Sequence, residues 1–285
     1  MRVATTCYRH PDRETNVACS RCERPICPDC MTSTPVGMRC PECAGERTRV
    51  RRISPGLRSG AAQATYVFLG LNILVYLAQV LGGGGVGSFD AGGSLITEGG
   101  LFGPAISDGG QWYRIFTSGF LHANLIHLLF NMYVLYILGT LLEPAIGTAR
   151  MVGIYLVSLV AGSFGALLLT PDSLTVGASG AVNGIMAATF LIARRRGVGQ
   201  ISNLIAFWVV LNLAFTFAAP NISVGGHLGG LVGGGLAALV VIWAERLGGG
   251  QRAALLEGGA IVAIGIVAFV AALIAAGQTG GGAFN

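Results

Sequence analysis

The chain has 285 residues, of which 53% are hydrophobic and only 11% are charged, and its mean hydropathy is +0.67. This composition excludes a soluble globular domain of the same length and predicts a polytopic membrane protein. The formal net charge of +5 comes from arginine alone, and because the arginines lie mostly near the N-terminus and in short loops between apolar segments, we expect topology signals and no nucleic-acid partner.

The first predicted domain, 1–46, is polar and contains all seven cysteines of the chain. Four pairs have two residues between their members, and His10 takes the place of a cysteine in the first pair. Eight such ligands suffice for two tetrahedral Zn²⁺ sites. Only four residues separate Cys22 from Cys27, which favours a cross-brace: pairs one and three bind one ion, and pairs two and four bind the other. The predicted ligands are Cys7, His10, Cys19, Cys22, Cys27, Cys30, Cys40 and Cys43.

An odd number of cysteines with a histidine in register fits a metal domain better than a disulfide scaffold. Reduced thiols also predict a cytosolic location for this head, whose small core is expected to need the metal to fold. The head resembles B-box-type zinc fingers, which mostly bind proteins, so we expect a cytosolic protein partner. No apolar run lies near the start of the chain, so no secretory signal peptide is expected.

An arginine-rich linker, 47–60, leads to seven apolar segments that predict an all-α membrane part. Several are near the roughly 20 residues that a transmembrane helix needs, whereas the fourth and fifth are short, which is tolerable for helices buried among others. A long glycine-rich connection, 82–111, ends at Trp112 and Tyr113, an aromatic pair typical of a membrane interface. The predicted spans are 61–81, 114–139, 149–169, 179–193, 203–219, 226–243 and 258–276.

Arginines predict the orientation of these spans, because loops that carry them stay in the cytoplasm. They occur before span one and in every second loop after it, while the alternate loops contain only Arg114. We therefore expect a cell-membrane protein with a cytoplasmic N-terminal head and a C-terminus outside. The arginines on the predicted cytoplasmic side are Arg47, Arg49, Arg51, Arg52, Arg58, Arg150, Arg194, Arg195, Arg196, Arg246 and Arg252.

Polar side chains inside the spans are costly and need a reason. Spans two, four and six run in the same direction, so Ser179, at the start of span four, and His227, at the start of span six, are predicted to lie at similar depth near the outer face. His122, His127 and Asn131 are predicted in the outer half of span two. Small residues line spans four and six at four-residue intervals and would let the two helices approach closely. These residues are Gly180, Gly184, Gly226, Gly230 and Gly234.

A serine beside an imidazole predicts nucleophilic catalysis, because a histidine activates a hydroxyl that is otherwise a weak nucleophile. No carboxylate lies in spans four or six, so the catalytic unit would be a Ser179–His227 dyad. His127, Asn131 and the Ser179 backbone N–H could then stabilise the oxyanion. Two other interpretations stay open: a serine that only helps helices to pack, and a metal or proton transporter that uses the three histidines. Against the transporter, spans three to six contain no Asp or Glu.

Four segments together resemble the rhomboid family of intramembrane serine proteases: WYR before span two, HANLIHLLFN within it, GASG around Ser179 and GGHLGG in span six. The resemblance extends from about Ala61 to Leu247. It implies a six-helix rhomboid core, 61–247, followed by a seventh transmembrane helix and tail, 248–285. It also implies that this core cleaves transmembrane segments of other proteins in the lipid bilayer.

The same resemblance implies roles for individual residues. Ser179 would be the nucleophile and His227 the general base and acid, while Gly177 would shape the loop before the serine. The oxyanion site would comprise His127, Asn131 and the Ser179 amide, with His122 nearby, and Arg114 and Glu143 would be structural. Many bacterial members have an aromatic residue four positions after the nucleophile that stacks on the histidine, and this chain departs from them with Asn183.

The leading hypothesis is therefore a serine endopeptidase that cuts membrane helices near their outer ends, with two structural Zn²⁺ ions in the head and no cofactor at the protease site. The alternative is an inactive rhomboid-like adaptor that binds client helices and recruits partners through the head.

Overall fold

The computed structural model describes residues 5–34, 37–45, 62–83, 93–220, 222–248 and 250–278. The chain divides into two compact units, 1–57 and 58–285. The predicted linker, 47–60, with its five arginines, lies outside the described residues, as does most of the glycine-rich part of the connection between the first two spans.

The first unit consists of two short antiparallel hairpins, a 3₁₀ turn (Pro28–Cys30) and one short α-helix, all held around the cysteines. Ile26 is fully buried, and its carbonyl accepts a hydrogen bond of 2.7 Å from the Thr15 hydroxyl. Few other apolar side chains are available in this unit, so its core consists mainly of cysteine side chains. Its elements are β1 (Thr5–Thr6), β2 (Glu14–Thr15), β3 (Thr32–Thr34), β4 (Gly37–Arg39) and α1 (Pro41–Gly45).

The second unit is helical. Three short helices, α3 to α5, follow the first long helix, and six long helices follow them. The helices are α2 (Gln63–Leu81), α3 (Ser94–Gly99), α4 (Gly103–Ser107), α5 (Arg114–Thr117), α6 (Leu125–Ile146), α7 (Thr148–Leu169), α8 (Ser179–Arg195), α9 (Gly199–Ala218), α10 (Val224–Arg246) and α11 (Gln251–Ala276).

Among the described residues, six helices are long and apolar enough to cross a membrane: α2, α6, α7, α9, α10 and α11. The fourth predicted span, α8, has only 17 residues, and most of them are buried between α7, α10 and α6. A helix inside the bundle meets protein on all sides, so its length need not match the bilayer. Large apolar side chains such as Ile126, Phe217 and Val267 are instead exposed on the outer helices, where they fit contact with lipid.

The prediction of one continuous span over 114–139 is wrong. Residues 114–120 form two short helical turns, the backbone is extended at Leu121 and Asn124, and α6 begins only at Leu125. Asn124 caps this helix because its side chain accepts a hydrogen bond of 2.8 Å from the His127 N–H. Consequently His122 lies in the loop before the helix rather than on it.

Glycines determine how closely the inner helices pack. A Cβ atom on Gly225 of α10 would lie 2.0 Å from the Gly165 carbonyl oxygen of α7, and one on Gly230 would lie 2.0 Å from the Gly180 carbonyl oxygen of α8. One on Gly234 would lie 2.3 Å from Gly184 Cα. These contacts are possible only without side chains, and they confirm the close packing of spans four and six.

Charged groups hold the helices together at one end of the bundle. The Glu143 carboxylate, 2% exposed, accepts hydrogen bonds from the backbone N–H groups of Ala64 and Thr65 and from the hydroxyls of Thr65 and Thr148, and so caps α2 from α6. At the same end of the bundle, the Arg150 guanidinium on α7 donates two hydrogen bonds to the Glu257 carboxylate on α11. The Arg150–Glu257 pair attaches the seventh predicted span to the other helices.

Candidate active site

The N-terminal ends of α6, α8 and α10 meet. Ser179 is the first residue of α8, His127 the third of α6 and His227 the fourth of α10. At the opposite end, Arg196 directly follows α8. It donates a hydrogen bond of 2.6 Å to the Ala145 carbonyl near the C-terminus of α6, and it pairs with Glu245 of α10. The three helices therefore run in the same direction, as the sequence predicts.

Ser179 is half-buried, and its hydroxyl forms no hydrogen bond with any side chain or carbonyl of the described residues. The backbone N–H groups of the first turn of a helix have no acceptors within that helix, so they surround the serine with free donors. Gly177, two residues earlier, has φ of +134°, a conformation that side-chain-bearing residues avoid. Its N–H donates to the Ser118 carbonyl at 2.9 Å, which fixes the approach of the chain to the serine.

The His127 ring lies beside the same glycine. A Cβ atom on Gly177 would lie 2.8 Å from His127 Nε2 and 3.7 Å from Ser179 Oγ. Because glycine has no side chain, the space between the imidazole and the hydroxyl stays open. An anionic oxygen that forms next to Ser179 would find the imidazole on one side and the free N–H groups of α8 on the other. Gly177 is therefore needed both for its backbone angle and for its lack of a side chain.

His227 is 8% exposed and lies one turn before Gly230, whose backbone packs closely against Gly180 of α8. A Cβ atom on Gly180, next to Ser179, would lie 3.3 Å from the carbonyl oxygen of Gly226, next to His227. The two predicted dyad residues are thus neighbours of residues whose backbones are in contact. Within the described residues no hydrogen bond joins Ser179 Oγ to the His227 ring, and none joins that ring to a carboxylate.

His227 has another partner that the sequence reasoning missed. Its Nδ1 lies 2.7 Å from the hydroxyl oxygen of Thr216, which is 1% exposed and belongs to α9. A threonine in a transmembrane helix usually bonds only to its own backbone, so nothing in the residue pattern indicates this contact.

The other residues predicted near the oxyanion are held by backbone groups. The Asn131 amide donates to the His127 carbonyl at 2.9 Å, which places it one turn below the ring on the same helix. His122 is fully buried, its ring centroid is 5.2 Å from that of His127, and neither of its ring nitrogens has a partner in the described part of the chain. Gln79 of α2 exchanges two hydrogen bonds of 3.0 Å with the His122 backbone and thereby holds this loop.

Asn183 occupies the position where an aromatic residue was expected. Its Nδ2 donates to the Ser179 carbonyl at 2.9 Å, and its Oδ1 is buried without a partner among the described residues. A side chain bonded to its own helix does not cover the histidine. Thr216 supplies the contact to His227 in this chain.

The loop before α6 carries the remaining predicted structural residue. Arg114, 6% exposed, donates to the Gly100 carbonyl at 2.7 Å and to the Gln111 side chain at 2.7 Å. Trp112 and Phe116 contact Phe269 of α11, with ring centroids 6.4 Å and 5.7 Å away. The loop is thus attached to the seventh predicted span as well as to the core.

In the first unit, all seven cysteines are free thiols, and the ligands form two groups. One group contains Cys7, His10, Cys27 and Cys30, and the other contains Cys19, Cys22, Cys40 and Cys43. This grouping is the cross-brace predicted from the spacing. The ligand atoms of each group lie within 4.8 Å of one another.

The distances between ligand atoms fit a tetrahedral zinc site. His10 Nδ1 lies 3.4 Å from Cys27 Sγ and 3.4 Å from Cys30 Sγ, and Cys22 Sγ lies 3.8 Å from Cys40 Sγ. Zn–S and Zn–N bonds of usual length give tetrahedral edges of about 3.6–3.8 Å. Backbone hydrogen bonds from Cys22 and Cys40 lower the pKa of the Cys19 thiol to about 6, while a side-chain hydrogen bond with Cys40 raises the pKa of Cys43, in the same group, to about 12.

The profile of the family described as "Rhomboid domain" matches residues 109–244. The chain is 33% identical to rhomboid protease GluP of Bacillus subtilis over 184 residues, which cover 64% of this chain and 35% of that protein. It is 31% identical to rhomboid protease AarA of Providencia stuartii over 215 residues, 64% of this chain and 74% of AarA. A rhomboid-like protease of Toxoplasma gondii is 33% identical over 149 residues, 49% of this chain and 50% of the relative.

Proposed function

Since the chain belongs to the rhomboid family, we propose that it is an active intramembrane serine endopeptidase that cleaves transmembrane segments of other membrane proteins through a Ser179–His227 dyad. The observation that carries this proposal is the contact between α8 and α10 at Gly180 and Gly226, the neighbours of the two dyad residues. The matched region covers only 35% of GluP, so the protease activity that its name states supports the proposal for this chain but does not establish it.

In the proposed mechanism, Ser179 Oγ attacks the scissile carbonyl carbon while His227 takes the hydroxyl proton. The tetrahedral oxyanion is stabilised by His127 and by the Ser179 backbone N–H, with Asn131 and His122 supporting the position of His127. His227 then gives its proton to the leaving amine, which leaves an acyl group on Ser179. Water attacks this ester with His227 again as the base, and the serine is released.

The proposal for the head is that each of its two ligand groups holds one structural Zn²⁺, which would supply the stability that its small core lacks. The zinc ions take no part in the proteolytic steps. The B-box-like domain, 1–46, is proposed to bind a cytosolic protein partner. The rhomboid core, 61–247, and the seventh helix with its tail, 248–285, complete the proposed organisation.

The proposed orientation places the dyad near the outer membrane surface. Arg150, Arg196 and the Glu245 and Glu257 carboxylates lie at the end of the bundle opposite Ser179. The positive-inside rule places that end, and with it the head, in the cytoplasm of a cell-membrane protein. Substrate helices would then be cut near their outer ends.

Cleavage of a transmembrane substrate by the purified full chain in detergent tests the proposal. We expect Ser179→Ala and His227→Ala to abolish cleavage, because one lacks the nucleophile and the other its base. Ser173→Ala removes an exposed serine from the preceding loop and should cleave as the parent does. Equal cleavage by Ser179→Ala and the parent would refute the dyad.

The inactive adaptor is favoured by one observation, the lack of a hydrogen bond between Ser179 and His227 among the described residues. Reaction with a serine-directed fluorophosphonate distinguishes the two functions. A protease incorporates the probe, and Ser179→Ala does not. An adaptor leaves the parent and the variant equally unlabelled.

A further inference from the structure

Thr216 is a buried polar residue on a helix that otherwise faces mainly outward. Of the long apolar helices in the described ranges, α9 is the least buried, and only Ser202, Ile205 and Thr216 are buried on it. The Thr216 hydroxyl oxygen lies 2.7 Å from the Asn212 carbonyl oxygen, one turn earlier, and 2.7 Å from His227 Nδ1. One hydroxyl therefore has two close polar neighbours.

These two contacts determine where the protons lie. A carbonyl oxygen only accepts hydrogen bonds, and a hydroxyl has a single hydrogen to donate. Since two oxygens 2.7 Å apart need a hydrogen between them, the Thr216 hydrogen points at the Asn212 carbonyl. The hydroxyl must then accept from His227, so that Nδ1 carries the hydrogen in the neutral ring and Nε2 has the free lone pair.

We propose that Thr216 is the positioning residue of the dyad: it orients the His227 ring and selects the tautomer in which Nε2 can accept the Ser179 proton. This inference rests on the proposed protease function. It assigns to a neutral hydroxyl the orienting task that a carboxylate has in a serine triad. Because the bond to Asn212 fixes the rotamer of the β-branched side chain, the accepting lone pair is held in place as well.

The hydrogen bond between His227 and Thr216 also explains how the histidine is held although Asn183 replaces an aromatic residue. Its amide is bonded to the Ser179 carbonyl, so the histidine has no aromatic cover from that residue. A hydrogen bond that the ring donates to a buried hydroxyl restricts the ring in direction, whereas stacking restricts it only in plane. In this chain, therefore, the hydrogen bond from His227 to Thr216 of α9 fixes both the tilt and the tautomer of His227.

Kinetics of three variants of the full chain test the inference. Thr216→Val keeps the shape but removes the acceptor, and we expect kcat to fall about 10- to 100-fold with little change in KM, since a buried N–H is left unpaired and the ring loses its orientation. Thr216→Ser should recover most of the lost rate. Thr189→Val is the matched control, because Thr189 is buried on α8 and donates at 2.7 Å only to the Ile185 carbonyl of its own helix.

Thermal denaturation separates this role from a structural one: both valine variants should lose similar stability, and only Thr216→Val should lose kcat. Equal kcat for the two valine variants, or no rescue by serine, would overturn the inference.

Nitrogen-15 NMR of histidine-labelled protein, with His227→Asn to assign the signal, tests the tautomer without any need for activity. We expect a protonated Nδ1 in the parent and a mixture of tautomers in Thr216→Val. A parent ring protonated at Nε2 contradicts the inference. A protein that shows the expected tautomer yet neither cleaves substrate nor reacts with a fluorophosphonate refutes the proposed function alone.

Discussion

Adding one methyl group at Gly234 should separate the two helices that carry the proposed dyad. A Cβ atom there would lie 2.3 Å from Gly184 Cα, 2.4 Å from its carbonyl oxygen and 2.5 Å from its carbonyl carbon. All three atoms are backbone, so no side chain can rotate away. Since carbon atoms pack at about 3.5 Å or more, Gly234→Ala must move α10 from α8 by about 1 Å.

This displacement has consequences for both stability and rate. Overpacking of this kind costs about 1–3 kcal/mol, so the denaturation temperature should fall. His227 lies two turns earlier on the same helix, and a shift of about 1 Å between reacting groups lowers rates by about 100-fold. We expect cleavage by Gly234→Ala to fall by that factor, with the larger share of the loss in kcat.

The neighbouring glycine provides the control. A Cβ atom on Gly235 would lie 3.9 Å from Leu191 Cδ1 and 4.0 Å from Ala187 Cβ, which is ordinary contact. Gly235→Ala therefore adds the same methyl group to the same helix without displacing it. Cleavage rates and denaturation temperatures that are alike for the two variants would refute the packing argument.

Three further predictions concern the head and the ends of the helices. Metal analysis of the purified chain should find two Zn²⁺ ions, and Cys27→Ser should retain one; retention of two would contradict the assigned ligand groups. Glu143→Gln should lower the free energy of unfolding by about 3 kcal/mol, because charge-assisted bonds to buried donors are lost, and an unchanged denaturation temperature would contradict the cap. Glu257→Gln should lower the free energy of unfolding by about 1 kcal/mol, since its pair with Arg150 is partly exposed. Adding Arg150→Gln to this variant should lower the free energy of unfolding little further, and additive losses would exclude the pairing.

The architecture could be predicted from the sequence wherever a periodic or spaced pattern had a single physical solution. The ligand grouping of the head followed from the short separation of Cys22 and Cys27. The packing of α8 against α10, whose N-terminal ends carry Ser179 and His227, followed from the parity of the spans and from the glycines. Both predictions depend on residue types whose positions admit few alternatives.

The errors and omissions have local causes. The apolar run after Arg114 masks the break at Leu121, because a buried loop is as apolar as a helix, and His122 was therefore placed on the wrong element. Thr216 could not be found because its contact with His227 joins two helices through a side chain that any transmembrane helix can contain. Which polar residues meet across helices depends on helix rotation, which hydropathy does not determine.

Site mapping of a fluorophosphonate adduct tests the central claim, an activated serine at the meeting point of α8 and α10, most directly. After the full chain reacts in detergent, peptide mass spectrometry should locate the adduct on Ser179. The same treatment of His227→Ala should give no adduct at that residue. An adduct on another serine, or equal labelling of Ser179 in His227→Ala, would contradict the account.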